Sequence, residues 1–316
     1  MAKKNIVITG VRGFIGAHLC NKLIEYGHNV IGIDNQICPS ATKFYTSKPF
    51  RYILGDVCYP ETYMKFLPYE IDEIYHLASI ASPPIYKQYP FETIMTNVNG
   101  TINMCKLAKN RGAKLLLSST SEVYGRPPTK NHPQIETYNG NVDTLSKRAP
   151  YDESKRMAET VVNTFSKDGL NATIVRIFNT YGPGMALNDG RFIVEFTKRV
   201  LEERDVVIYN GGSQTRSPCY IDDMIKMLIN AMDIGGFGPY NIGNDKEYSV
   251  KEILNMIMNI IGKNPNIVHM PLYDGDPARR KPDLSRANLA EISNFKKTQI
   301  YDGLKKTITY IRRQID

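Results

Sequence analysis

Short runs of aliphatic and β-branched residues alternate with amphipathic stretches through the first 180 residues. The apolar runs are Asn5-Ile6-Val7-Ile8-Thr9, Val30-Ile31-Gly32-Ile33, Ile74-Tyr75-His76-Leu77, Lys114-Leu115-Leu116-Leu117 and Ala172-Thr173-Ile174-Val175. Apolar residues at successive rather than alternate positions mark strands buried on both faces, and strands separated by helical patterns are βαβ units. The pattern predicts an α/β fold with a doubly wound parallel sheet. Two longer helical patterns run from Phe91 to Lys109 and from Tyr151 to Phe165. After Gly182 the elements shorten and are broken by Gly211-Gly212, Gly235-Gly236, Pro239, Pro265, Pro271 and Pro277. Residues 1–180 are therefore expected to form one domain and residues 181–316 a smaller α/β lobe, with some segments crossing between them. The polar stretch from Gly125 to Leu145 reads as a long surface loop, and loops of that length inside a compact domain are usually functional.

At 316 residues the chain is about twice a typical domain of roughly 150. Its 42% hydrophobic and 23% charged residues are those of a globular protein rather than a disordered or fibrous one. No apolar run reaches the roughly 18 residues needed to span a bilayer, and Ile6-Val7-Ile8 is too short for a signal-peptide core, so a cytoplasmic protein is expected. The five cysteines (Cys20, Cys38, Cys58, Cys105, Cys219) are odd in number and form no C-x-x-C pair, which indicates neither a disulfide framework nor a zinc site. The net charge of +8 is concentrated after Ala278, where ten Lys and Arg face four Asp and Glu. No nucleic-acid motif or aromatic platform accompanies this tail, so the expectation is a small anionic substrate and no nucleic acid or membrane partner.

The first apolar run ends in Thr9-Gly10-Val11-Arg12-Gly13-Phe14-Ile15-Gly16 and passes into a helical pattern. Glycines spaced G-x-x-G-x-x-G at a strand-to-helix turn permit the tight turn and a close backbone approach, while the helix N-terminus attracts a pyrophosphate. The second strand ends at Asp34, whose carboxylate accepts hydrogen bonds from ribose hydroxyls and repels a 2′-phosphate. That favours NAD over NADP, with Arg12 the one feature pulling the other way. Tyr151 and Lys155 are four apart at the start of a helical pattern and so share a face. A lysine ammonium one turn away favours the phenolate, making Tyr151 a candidate base for a substrate hydroxyl. Ser118-Ser119-Thr120-Ser121-Glu122 closes another predicted strand, and ligands of open α/β sheets bind at the carboxyl ends of strands. Thr120, Ser121 and Glu122 are thus expected in the same crevice as Tyr151.

The glycine spacing, the Tyr151/Lys155 pair and the Thr120 segment resemble the extended short-chain dehydrogenase/reductase superfamily, which implies a Rossmann-type cofactor domain. Over nearly the whole chain the sequence resembles UDP-glucuronate decarboxylases. That likeness rests on His76-Leu77-Ala78-Ser79, Ala81-Ser82-Pro83-Pro84-Ile85-Tyr86, Ser119-Thr120-Ser121-Glu122-Val123-Tyr124-Gly125, His132-Pro133-Gln134, Tyr151-Asp152-Glu153, Asn188-Asp189-Gly190-Arg191 and Arg280-Lys281-Pro282-Asp283. The resemblance implies a catalytic set of Thr120, Ser121, Glu122, Tyr151 and Lys155. It implies NAD held by Gly10, Gly13, Phe14, Ile15, Gly16, Asp34, Asn35, Asp56, Val57, Leu77, Ala78, Ser79 and Asn97 together with Tyr151 and Lys155. It implies a UDP-sugar met by Tyr86, Glu92, Asn179, Arg191, Tyr209, Gln214, Arg216 and Arg280, and a homodimer built on the two long helices.

Within that superfamily, Thr120 would hydrogen-bond the sugar C4 hydroxyl while Tyr151 takes its proton and the C4 hydride goes to NAD. The ketone acidifies C5, where Glu122 can act, and the simple 4-epimerases generally carry no acid at that position. Two departures from the decarboxylase pattern fall where the sugar carboxylate should sit. Glu92 stands where the decarboxylases carry a lysine, and Tyr138-Asn139-Gly140-Asn141-Val142-Asp143-Thr144 replaces a Tyr-Trp-Gly stretch followed by Val-Asn-Pro. On these grounds the sequence favours a NAD-dependent 4,6-dehydratase of a UDP-hexose, UDP-N-acetylglucosamine or UDP-glucose, with C5 epimerisation open. UDP-glucuronate decarboxylation, favoured by Arg280, is the alternative, and a 4-epimerase or reductase is the second.

Overall fold

The computed structural model describes residues 2–38, 50–271 and 279–316. Six strands lie in the first part of the chain: β1 (Asn5–Thr9), β2 (Asn29–Asp34), β3 (Arg51–Leu54), β4 (Glu73–His76), β5 (Lys114–Thr120) and β6 (Ala172–Ile177). Eight short ones follow: β7 (Thr180–Tyr181), β8 (Val206–Tyr209), β9 (Thr215–Arg216), β10 (Cys219–Tyr220), β11 (Tyr240–Ile242), β12 (Tyr248–Ser249), β13 (Ile267–Met270) and β14 (Arg279–Arg280). The helices are α1 (Phe14–Glu25), α2 (Pro83–Gln88), α3 (Pro90–Arg111), α4 (Ala149–Lys167), α5 (Phe192–Leu201), α6 (Ile221–Ile234), α7 (Val250–Ile261), α8 (Ser285–Leu289) and α9 (Ile300–Ile315).

The central sheet has the order β11-β6-β5-β4-β1-β2-β3. Every neighbouring pair is parallel. The chain runs outward from β1 in one direction through β2 and β3, then returns to β4 and continues the other way, so the topological switch lies between β1 and β4. This is the doubly wound, Rossmann-type sheet expected from the apolar runs. Both faces are covered, which is why alternation is absent: Ile6 and Ile8 of β1 pack with Leu19 and Leu23 of α1 and with α6, whereas Val7 packs with Met104 and Leu107 of α3. Ile6, Val7 and Ile8 are fully buried, each worth about 1.5–3 kcal/mol relative to exposure.

Two strands of the sheet were not among the apolar runs. β3 is a short edge strand with only Ile53 buried, and β11 is three residues long between Pro239 and Gly243. β11 also crosses the expected boundary near residue 180: it comes from the second part of the chain and pairs with β6 through Tyr240, Asn241 and Ile242. The second lobe otherwise consists of the pair β10-β7, the three-stranded β12-β9-β14 and the pair β13-β8, backed by α5, α7 and α9. Among the described residues no helix is long and apolar enough to cross a membrane.

Candidate active site

The carboxyl ends of β1, β4, β5 and β6 open into one cleft of about 1250 Å³ that continues between the sheet and the second lobe. At its first end Gly10 takes a left-handed backbone (φ +70°), and Gly13 N–H donates to Gly10 O at 3.0 Å. Cβ atoms have no room here: one on Gly16 would lie 2.2 Å from Gly10 O, and one on Gly10 2.9 Å from the Ala78 backbone. The turn thus forms a bare backbone cradle at the N-terminus of α1, which fits a dinucleotide pyrophosphate. Gly10, Gly13, Phe14, Ile15, Gly16, Leu77 and Ser79 line the cleft.

The other cofactor residues expected from the sequence, Asp34, Asn35, Asp56, Val57, Ala78 and Asn97, are not among those lining the cleft. Asp34 closes β2 and accepts from the backbone N–H of Arg12 at 2.9 Å and of Gln36 at 2.7 Å. Asn35 Nδ2 donates to Asp56 Oδ2 at 2.9 Å. Ala78 N–H donates to Thr9 Oγ1, and the buried Val57 packs against Gly100 of α3. Asn97 is buried, and its Nδ2 donates to Ser154 Oγ at 2.9 Å, linking α3 to the helix that carries Tyr151.

At the centre of the cleft, α4 presents Tyr151 and Lys155 to the end of β5. The Tyr151 ring stacks on Tyr86 with centroids 5.3 Å apart and planes 8° from parallel. Burial pushes the Tyr151 phenol up to about 12, against a hydrogen bond with Thr120 that lowers it. The shift is opposite to the one Lys155 alone would produce, because desolvation dominates. Lys155 is 3% exposed, and burial brings its ammonium down to about 7. Its Nζ donates to Ser118 O at 2.8 Å. Thr120 Oγ1 accepts from Glu122 N–H at 3.3 Å, which starts the single turn Ser121–Tyr124 and sets the direction of the Glu122 side chain.

Glu122 is the hub of the far side. Its Oε2 accepts from Arg280 Nη2 at 3.1 Å and from Arg148 Nη2. Burial works to raise the Glu122 pKa, but the guanidinium groups of Arg280, Arg148 and Arg216 overcome it, so the carboxyl sits below its ordinary value and is ionised. Arg280 is 2% exposed; its Nη1 also donates to Ser121 O at 3.0 Å, while its buried Nε has no partner among the described residues. Asp152, one turn beyond Arg148, lies 3.6 Å from Arg148 Nε. Burial and the neighbouring Glu122 charge push Asp152 up to about 7.

Thr120, Ser121, Glu122, Tyr151, Lys155, Tyr86, Asn179, Arg191, Tyr209, Gln214, Arg216 and Arg280 all line this one cleft. Glu92 does not. It lies exposed on the first turn of α3 and is outside the cleft lining, because Thr93, not Glu92, is the position of that turn facing inward. The ground it gave for rejecting a sugar carboxylate is thereby removed. The sequence reading passed over Arg148, which lines the cleft, and Asp152, buried one turn further along α4 beside it.

A doubly wound sheet with a glycine cradle after β1, and a Tyr/Lys pair of α4 facing the end of β5 in the same cleft, is the arrangement of a dinucleotide-dependent enzyme. The chain belongs to the NAD-dependent epimerase/dehydratase family, whose model matches residues 6–243. It is 40% identical to UDP-glucuronic acid decarboxylase 1 of Xenopus tropicalis over 99% of this chain and 73% of that one. It is 42% identical to UDP-glucuronic acid decarboxylase 6 of Arabidopsis thaliana over 95% and 86% of the two chains. Among solved structures, a UDP-glucose 4-epimerase of Thermotoga maritima with UDP-glucose superposes with a TM-score of 0.89 at 27% identity, covering 99% of this chain and 100% of the other. A UDP-glucuronic acid 4-epimerase of Bacillus cereus, in complex with UDP-glucuronic acid and NAD, gives 0.84 at 27% identity over 98% and 99%.

Proposed function

We propose that this protein is a NAD-dependent UDP-glucuronate decarboxylase. The observation that carries the reading is the buried Arg280 guanidinium at the sugar end of the cleft, which together with Arg148 and Arg216 keeps Glu122 ionised. Arg280 also has a buried N–H with no partner among the described residues, which supports its receiving the sugar carboxylate. The 40% identity to decarboxylases along nearly the full chain supports the same reading.

NAD held in the glycine cradle would supply a reversible hydride acceptor for sugar C4. Tyr151 Oη receives the proton of the C4 hydroxyl, with Thr120 Oγ1 orienting that hydroxyl. The phenol is a weak acid in its buried setting, so the phenolate forms only as positive charge is brought to it, and Lys155, poised near neutrality, supplies that charge when protonated. The C4 ketone makes the C5 carboxyl a β-keto acid. Arg280 orients the carboxylate so that its C–C bond breaks with the electron pair moving into the ketone. The proton taken up at C5 comes from solvent water, which Glu122, ionised between the arginines, orients by accepting a hydrogen bond. Gly10, Gly13 and Gly16 hold the cofactor pyrophosphate, and Asp34 the adenosine ribose. Arg191 and Arg216 meet the substrate diphosphate, with Tyr209 and Gln214 at the nucleoside.

An ionised Glu122 also suits removal of the C5 proton on the way to 4,6-dehydration. That reading rested in large part on Glu92, which lies outside the cleft. The test is to incubate the purified protein with UDP-glucuronate, UDP-glucose and UDP-N-acetylglucosamine separately and follow the products by mass spectrometry. Loss of carbon dioxide from UDP-glucuronate is expected; loss of water from a neutral sugar nucleotide overturns the proposal. A homodimer is part of the proposal: Phe91, Ile94 and Met95 on α3 and Met157 on α4 are exposed apolar side chains on two helices that pack together.

A further inference from the structure

Arg216 and Arg280 sit on short paired strands. In the register of β9 and β14, Arg280 lies beside Arg216 and Arg279 beside Thr215. Side chains alternate across a strand, so Arg216 and Arg280 share the face that lines the cleft while Thr215 and Arg279 share the opposite face. That opposite face is fastened to a single carboxylate. Glu247, just before β12, accepts through Oε1 from Thr215 Oγ1 and from Arg279 Nε at 3.4 Å. Its Oε2 accepts from Arg279 Nη2 at 3.2 Å and lies 3.2 Å from His132 Nε2. His132 belongs to the long segment after Gly125. Two residues further on, the fully buried Gln134 exchanges hydrogen bonds with Lys281: its backbone N–H donates to Lys281 O, and its Oε1 accepts from Lys281 N–H, both at 2.9 Å. Arg280 is thus held on both sides, through Arg279 and through Lys281.

Burial works against the Glu247 charge, but the hydrogen bonds from Thr215 and Arg279 and the neighbouring His132 bring the carboxyl down to about 2, so it is ionised wherever the enzyme works. An ionised carboxylate that accepts from two strands and a loop at once, without lining the cleft, has a geometric role.

We infer that Glu247 is the positioning residue for the substrate-facing arginines: it ties β9, β14 and the His132 loop together and so fixes where the Arg216 and Arg280 guanidinium groups stand. The inference takes the roles of those arginines from the proposed decarboxylation, whereas the clamp itself rests on the contacts alone.

The test compares wild type, Glu247→Ala and Glu247→Gln as NAD-loaded proteins, measuring kcat and KM for UDP-glucuronate, UDP affinity by calorimetry and cofactor content. In Glu247→Ala, kcat/KM is expected to fall by about a hundredfold, the loss that follows an ångström-scale misplacement. UDP affinity weakens and cofactor content holds, because the glycine cradle is on the far side of the cleft. Glu247→Gln keeps a carbonyl oxygen for Thr215 and Arg279 and is expected to recover part of the loss. If Glu247→Ala does not fold, Arg279→Met, at a half-exposed side chain, gives the same readouts. Unchanged kcat, KM and UDP affinity overturn the inference, as does a loss of cofactor in step with activity. A wild type inert toward UDP-glucuronate refutes the decarboxylase reading instead, and UDP affinity then still decides the clamp.

Discussion

Replacing Arg280 with alanine separates the two halves of the proposed chemistry. The guanidinium makes two hydrogen bonds, to Ser121 O at 3.0 Å and to Glu122 Oε2 at 3.1 Å. At about 1.5–3 kcal/mol for each bond to or from a charged group, the gross loss is about 3–6 kcal/mol. Two effects offset it: Glu122 keeps its pair with Arg148, and the desolvation of a guanidinium that is 2% exposed is recovered. The net cost to stability is therefore about 1–3 kcal/mol, a drop in melting temperature of several degrees for a chain of this size. Activity should suffer far more. Removing a preorganised electrostatic donor from a buried site costs about 10²–10³ in kcat, so release of labelled carbon dioxide from UDP-glucuronate is expected to fall by that factor. Cofactor content stays at the wild-type level, since Arg280 is remote from the glycine cradle. Arg280→Lys is expected to recover little, because one ammonium cannot reproduce a fork that reaches Ser121 O and Glu122 together. Carbon dioxide release within a few-fold of wild type in a folded Arg280→Ala protein would refute the reasoning.

In the glycine cradle, Gly16→Ala puts a Cβ 2.2 Å from Gly10 O and should abolish retention of NAD through purification, whereas Gly13→Ala, at 3.2 Å, should only weaken it. Equal cofactor content in the two variants, read from the absorbance of the heat-released nucleotide, would contradict this. Asp152 has a carboxyl raised from 3.8 to about 7, so over that window the folded state keeps a proton that the unfolded chain has released, and this group costs stability as pH rises through it. Relative to wild type, Asp152→Asn should therefore gain melting temperature between pH 4 and 8; a pH-independent offset would tell against the assignment. A charge among the exposed apolar side chains of α3 and α4, as in Ile94→Lys with Met157→Lys, should convert a dimer to monomer in light scattering with the cleft intact, and an unchanged mass would place the interface elsewhere.

Much of the site was legible because parallel strands buried on both faces write themselves as unbroken apolar runs, and each run ends at the cleft. Thr9-Gly10, Asp34, Leu77 and Thr120 could be placed from the strand ends alone, and the Tyr151/Lys155 spacing set the helix face. What was not legible depended on which way one turn faces or on contacts between distant segments. Glu92 aligned with a lysine of the decarboxylase pattern, but sequence position does not say which residue of the first turn of α3 points inward; Thr93 does. The Arg148-Glu122-Arg280 network joins residues far apart in the chain, and Arg280 reaches the cleft beside Arg216 only once β14 is laid beside β9. β11 was missed because three residues carry no period.

That β11 closes the main sheet has a consequence for biosynthesis. The edge of β6 obtains its partner only from residues 240–242, so the cofactor half cannot finish its sheet when the ribosome has delivered residue 180. A nascent chain of that length carries a parallel strand with an open edge, the kind of surface that pairs wrongly with other chains. The sheet is completed some sixty residues later, after β7 to β10 and α5 and α6 have emerged.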